Sequence, residues 1–143
     1  MPSRKEPIIT GCYYQIVNRG FLKRVIFRKE EDFKKFLKLI DAYSGGVDIV
    51  SHALVPNHFH FVLKQKTDRG AGYLMSNVQR LYSKYFGESY GKVGTLYEGR
   101  FFSERIRDEK HMQNVLKYVF ENPTKHKLIK LGKDGISGIN FME

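Results

Sequence analysis

Apolar residues along the chain keep two different rhythms. Tyr13-Tyr14-Gln15-Ile16-Val17-Asn18 is β-branched and aromatic and stops at Arg19-Gly20, which predicts a first strand, with Val25-Ile26-Phe27 as a short extension. Phe33, Phe36, Leu37, Ile40 and Tyr43 then recur at helical spacing, after the acidic start Glu30-Glu31-Asp32 and before Ser44-Gly45-Gly46. Val47 to Val55 and His58 to Gln65 read as two strands joined by the tight connection Pro56-Asn57, a hairpin. From Gly70 to Gly91 a stripe of Leu74, Val78, Leu81, Tyr82, Tyr85 and Phe86 predicts a second helix, flanked by Arg80 and Lys84. Thr95 to Arg107 is an extended stretch turning at Glu98-Gly99-Arg100, which fits a last strand or hairpin. Asp108 is placed to cap a final helix carrying Met112, Val115, Leu116, Val119 and Phe120, which Pro123 should end or just follow. The tail beyond Leu131, with Gly132, Gly135 and Gly138, is expected to be loosely ordered.

The resulting order, β-α-β-β-α-β-α, matches a ferredoxin-like (RRM-like) α+β fold: an antiparallel sheet with helices packed on one face, plus a C-terminal helix. No repeat, low-complexity tract or linker divides the chain, so residues 1–143 read as a single domain with its core over about 13–128.

Charge then narrows the partners. Lys and Arg number 25 against 15 Asp and Glu, a formal net charge of +10 on 143 residues. Such a surplus favours polyanions, because each neutralised phosphate releases counterions, and nucleic acid is the leading partner. The plainer alternative is a protein that is basic for solubility. The lone Cys12 excludes an intrachain disulfide framework and any cysteine-rich zinc site. With no apolar signal core at the N-terminus and no run approaching the roughly 20 apolar residues of a membrane span, a cytoplasmic location and no membrane partner are expected.

Candidate chemistry begins at His58-Phe59-His60. Alternation along a strand sets both imidazoles on one face and Phe59, Phe61 and Leu63 on the other, so one strand anchors a core and offers two nitrogen ligands to a divalent cation. Structural hydrogen bonding is the alternative role for such a pair. On the last helix Tyr118 and Asn122 stand at i, i+4 and share a face. A phenol is a poor nucleophile near neutrality, with a reference pKa of about 10, and needs a nearby cation. A metal on His58 and His60 would supply it, and Asn122 could add a third ligand. Packing of Tyr118 in the apolar stripe, and a simple helix end at Asn122, remain the structural alternatives. Tyr82 and Tyr85 are further candidate nucleophiles at helical spacing, although Tyr85 continues an apolar row; His52 and His111 are isolated and read as structural. Arg80, Lys84, Lys92, Arg100, Arg105 and Arg107, interleaved with Tyr90, Tyr97, Phe101 and Phe102, suit phosphates and unpaired bases, or else form a solvated basic surface.

These motifs carry a resemblance. Pro56-Asn57-His58-Phe59-His60, the region Tyr82-Ser83-Lys84-Tyr85-Phe86 with Gly94 to Phe101, and Tyr118-Val119-Phe120-Glu121-Asn122-Pro123 are together similar to the IS200-like single-tyrosine (HUH) transposases, especially the group associated with repetitive extragenic palindromes (REP). The likeness runs from about Tyr13 to Leu128. It implies His58 and His60 as metal ligands with Mg²⁺ or Mn²⁺, Asn122 as the third ligand and Tyr118 as nucleophile. It further implies cleavage and rejoining of single-stranded, hairpin-containing DNA through a 5′-phosphotyrosine, usually by a homodimer. The chain departs from the family pattern at Thr124-Lys125-His126, where relatives carry a small hydrophobic residue, a basic residue and alanine. A non-catalytic nucleic-acid-binding module on the same fold is the competing class, and a metal-assisted ribonuclease a third. The transposase reading makes one spatial demand: the last helix must lie across the histidine face of the sheet, from the same chain or from a partner.

Overall fold

A computed structural model of the protein describes residues 7–92 and 94–126, with side chains through residue 117. Its main elements are β1 (Tyr13–Arg19), α1 (Glu30–Tyr43), β2 (Val47–Val55), β3 (His58–Gln65), α2 (Gly70–Tyr90), β4 (Phe102–Ile106) and α3 (Glu109–His126). The strands form one antiparallel sheet in the order β2-β3-β1-β4, the ferredoxin-like arrangement. The expected tail beyond Leu131 lies outside the described residues.

Two separate apolar clusters sandwich the sheet. Phe59, Phe61 and Leu63 of β3 join Tyr14 and Ile16 of β1 with Phe33, Phe36 and Ile40 of α1 and Leu74, Val78 and Tyr82 of α2. Phe36 is central there, its ring 5.0 Å from Phe59 and 5.3 Å from Tyr82. On the opposite face Val50, Ala53, Val62 and Ile106 pack with Met112, Val115 and Leu116 of α3. A single bulge makes both clusters possible on β2. The register shifts between Ile49 and Ser51, so Ile49 and Leu54 both reach the main core while Val50 and Ala53 reach the second.

The connections differ from expectation in two places. Val25-Ile26-Phe27 is not a strand: Phe21–Lys23 forms a short 3-10 turn, and the amides of Ile26 and Phe27 both donate to the Pro56 carbonyl, at 2.8 and 3.0 Å. That segment clasps the tip of the β2-β3 hairpin instead of lengthening the sheet. Helix α3 also continues past Pro123 to His126. A proline there removes one backbone bond and crowds the carbonyl four residues back, a cost confined to the end of the helix. The expected cap is present, with Asp108 Oδ1 accepting from the His111 amide at 2.7 Å. Where α2 begins, the backbone of Gly70 crosses that of Gly46 so closely that a Cβ on Gly70 would lie 2.1 Å from the Gly46 carbonyl oxygen.

The start of α1 is organised by a buried carboxylate. Asp32 accepts from the Arg28 and Lys29 amides at 2.8 and 3.2 Å and from the Tyr85 and Tyr90 hydroxyls at 2.7 and 2.6 Å. Burial alone would raise its pKa. The four hydrogen bonds outweigh burial and hold the group below its ordinary 3.8. Asp32→Asn should therefore lower stability by about 1–3 kcal/mol in urea unfolding at neutral pH. The carboxylate's contribution is present above 3.8 and fades as pH falls through the lower folded value, so the deficit of the variant should shrink in acid.

His52 illustrates the opposite sign. Its ring stacks on Phe61, with centroids 5.5 Å apart, and burial lowers its pKa from 6.5 to about 4. The unfolded chain takes up a proton below 6.5 that the folded chain refuses, so stability falls as pH drops from 6.5 towards 4. Thermal melts of His52→Phe, which keeps the stack, should lose less between pH 7 and pH 5 than wild type.

Candidate active site

Direct cross-strand pairs share a sheet face, and on the face beneath α3 they form rows. Ala53 of β2, His60 of β3, Val17 of β1 and Phe102 of β4 make one row; Val55, His58 and Arg19 make the next, at the hairpin end. His58 and His60 thus stand two residues apart on the α3 side, as the alternation predicted, while Phe59 and Phe61 sit in the main core. The spatial demand on the last helix is met within one chain, since Val115 and Leu116 pack against Val50, Ala53 and Val62.

The two imidazoles are not equivalent. His60 is 3% exposed, with its Nε2 shut off from solvent, and its pKa is lowered to about 4 by burial and then by the charge of His58. It is neutral near pH 7, the state in which an imidazole binds a metal. His58 is half-buried, and its Nδ1 lies 2.9 Å from Asn57 Oδ1. An amide oxygen accepts, so the bond belongs to the Nδ1–H tautomer and gives His58 a lone pair on Nε2. Asn57 is held in turn by the hairpin tip, its carbonyl accepting from Gly20 N at 2.9 Å. Two imidazole nitrogens on one face are part of a donor set of the kind a divalent metal accepts. Among the described residues no third His, Cys, Asp or Glu completes a cluster with them. Tyr118 and Asn122 belong to α3, and their side chains lie outside those described.

The competing tyrosines are occupied in the fold. The Tyr82 hydroxyl donates to the Ile26 carbonyl at 2.5 Å, fully buried, and burial with the nearby Asp32 charge pushes its pKa far up. Tyr85 bonds Asp32, and burial together with that bond pushes it up to about 12. His52 faces the main core, away from the histidine pair, and His111 accepts from the Arg107 amide at 3.4 Å.

The basic residues do not converge on the histidines. Arg80 and Lys84 are on α2, which covers the other face of the sheet. Arg105 pairs in register with Tyr14, a main-core residue, and so lies on that other face too. Lys92, Arg100 and Arg107 flank the ends of α2 and β4 and are exposed. Sequence reasoning missed Arg19, which faces His58 across the β1-β3 pair. Its Nη2 bonds Glu98 at 2.5 Å, and its buried Nε has no hydrogen-bond partner among the described residues. Parity puts Arg19 on one strand face with Val17, but only the β1-β3 register sets it beside His58. Phe102, 52% exposed, stands in the His60 row, a placement that sequence spacing alone does not single out.

Comparison with known proteins adds to this geometry. A protein of Haemophilus influenzae assigned as a REP-associated tyrosine transposase is 28% identical over 97 residues, covering 61% of this chain and 55% of that one. This chain therefore spans little more than half the length of that relative. The structure of a REP-associated tyrosine transposase bound to a REP hairpin matches with a TM-score of 0.66 and 18% identity, over 91% of this chain and 77% of the other. A crystal structure assigned as a transposase from Deinococcus radiodurans gives 0.54 and 12%, over 85% and 96%. The tRNA(His) guanylyltransferase of Saccharomyces cerevisiae gives 0.50 and 16%, over 85% and 62%, so the fold by itself does not choose a chemistry. The family model described as "Transposase IS200 like" matches residues 8–122, which span both histidines, Tyr118 and Asn122, and by that match the chain belongs to the IS200-like transposase family.

Proposed function

We propose that the protein cleaves and rejoins single-stranded DNA beside a hairpin, with Tyr118 as nucleophile and His58, His60 and Asn122 holding Mg²⁺ or Mn²⁺. The observation that carries this reading is the placement of His58 and His60 on the sheet face that α3, the helix bearing Tyr118, covers. Residues three and seven positions beyond Val115 return to its side of an α-helix, and these are 118 and 122. A bound divalent ion would polarise the scissile phosphate and offset the charge that builds on it.

The chain's own groups then account for the exchange. The phenolic oxygen of Tyr118 gives up its proton and bonds to phosphorus, while the bond from phosphorus to the upstream 3′ oxygen breaks. That oxygen takes a proton and leaves as a free 3′-hydroxyl, and the 5′-phosphate stays on tyrosine. Attack by an incoming 3′-hydroxyl reverses the sequence and rejoins the strand. Arg19 puts a cation across from His58, and Phe102 offers a ring in the His60 row on which a base can stack. The hairpin preference rests on the solved relative bound to a REP hairpin. Assembly as a homodimer follows from the family resemblance alone.

Incubation with labelled single-stranded hairpin DNA and Mn²⁺, followed by denaturing electrophoresis, should give a covalent complex. Tyr118→Phe should abolish it while retaining DNA binding, and a chelator should prevent it with intact protein. An adduct of unchanged yield in Tyr118→Phe would reject the nucleophile.

Asn57 is a positioning residue in this scheme. Asn57→Ala should weaken Mn²⁺ binding by roughly 10–100-fold in calorimetry, with thermal stability nearly unchanged, and Asn57→Asp should restore most of it. In the metal-free protein, ¹⁵N chemical shifts of His58 should show that Asn57→Ala no longer holds the Nδ1–H tautomer.

A further inference from the structure

We infer that the 3-10 turn Phe21–Lys23 is an apolar wedge, with Leu22 inserting beside the last base pair of a DNA stem and parting it from the single strand that follows. The inference rests on the proposed DNA chemistry and adds to it a contact with a nucleobase at the histidine end of the sheet.

Burial and backbone set this turn apart. Leu22 is 79% exposed and Phe21 is 38% exposed, and no residue of the turn is buried. Leu22 and Lys23 have φ of 54° and 64°, and among the described residues they alone reach positive φ without being glycine. That region is sterically unfavourable for a bulky side chain. An apolar side chain held in strained backbone and left in water contributes no burial to the fold, and strain of this kind gathers at functional contacts. Hydrogen bonds keep the turn rigid. The Phe21 amide donates to the Leu96 carbonyl at 2.9 Å, and the Lys23 and Arg24 amides donate to the Gly20 and Phe21 carbonyls at 2.9 and 3.0 Å. A projecting leucine on a fixed backbone has the form of the wedges that unstack a base step.

Charge and position favour nucleic acid as the occupant. The turn borders a hollow of about 520 Å³ lined by Arg19, Phe21, Leu22, Lys23 and Glu98. Arg19 pairs with Glu98 at 2.5 Å, so Lys23 leaves the rim cationic, and the Arg24 guanidinium lies 5.9 Å from the Phe21 ring centroid. An apolar point among cations suits a base flanked by phosphates better than a second copy of a chain of net charge +10. Arg19 ends β1 across from His58, and the Gly20 amide donates to the Asn57 carbonyl at 2.9 Å. The turn thus leaves the sheet beside His58, where a strand freed from its stem would enter the proposed centre.

The test uses a DNA hairpin with 2-aminopurine at the first unpaired position, bound by the protein in the presence of a chelator so that no cleavage intervenes. Wild type at saturation should raise the fluorescence roughly threefold as the base leaves its stack. Leu22→Asn, which tolerates positive φ, should lose the rise while still binding the hairpin by anisotropy, and Leu22→Met should keep it. In the absence of DNA Leu22→Asn should melt no lower than wild type, because the exposed leucine supports nothing in the fold. An equal rise in wild type and Leu22→Asn, no rise with the hairpin bound to wild type, or a melting point lowered by the substitution would each overturn the wedge and leave the proposed cleavage standing. So would a wild-type dimer that Leu22→Asn dissociates in sedimentation with the fluorescence rise intact, which would make the turn a contact between copies. A wild-type protein that binds no hairpin would reject the DNA reading, and the wedge with it.

Discussion

The fold depends on the period-two alternation of β3, a central strand buried on both faces. Phe59, Phe61 and Leu63 fill the core under α1 and α2, while His58, His60 and Val62 turn towards α3. A slip of one residue in pairing would exchange these sets, driving two imidazoles into the aromatic core and three large apolar side chains out of it. Several fully buried apolar side chains, each contributing about 1.5–3 kcal/mol by leaving water, oppose that slip. The main core thereby fixes where the histidines point, although it contains neither of them.

The other end of the alternation is fixed by the hairpin tip. Pro56 presents its carbonyl to Ile26 and Phe27, and Asn57 presents its own to Gly20, so the turn is held from outside as well as by the β2-β3 ladder. With the backbone of Asn57 held, its side-chain oxygen meets His58 Nδ1 at hydrogen-bond distance. The local chain of cause runs from a loop that looks irregular in sequence to the orientation of one imidazole. The 3-10 turn preceding the clasp carries Leu22 and Lys23 at positive φ, strain that the surrounding hydrogen bonds sustain.

Periodicity made much of this legible. The three long helices, four strands, their order and the Asp108 cap follow from residue spacing and capping chemistry, and so does the shared face of His58 and His60. What stayed hidden depends on register and on distant contacts. Nothing local in Val25-Ile26-Phe27 separates a short strand from a clasp, because the deciding partner is the Pro56 carbonyl some thirty positions on. Arg19 became visible only once β1 was aligned beside β3, and the tyrosines at 85 and 90 only once Asp32 was seen between them. The basic residues lie close together in sequence, but a helix over one sheet face and a strand at its edge send such neighbours to different surfaces.

That separation bears on how one small domain could handle a strand of DNA. The face beneath α3 sets Arg19 and Lys64 against Asp48 and Glu104, so its cations are offset, and its second cluster is small, which suits a compact reaction centre more than an extended binding surface. Arg80, Lys84, Arg69 and Arg100 lie on or beside α2, across the sheet. Phe102 stands exposed on the β4 edge, in the row of His60. Charge on one side and neutral, buried imidazole on the other then have distinct tasks: long-range attraction depends on the exposed cations, which salt screens, whereas the state of His60 is set by burial, which salt hardly changes. Binding strength and the chemistry of the centre should accordingly respond to ionic strength in different degrees, the first steeply and the second little.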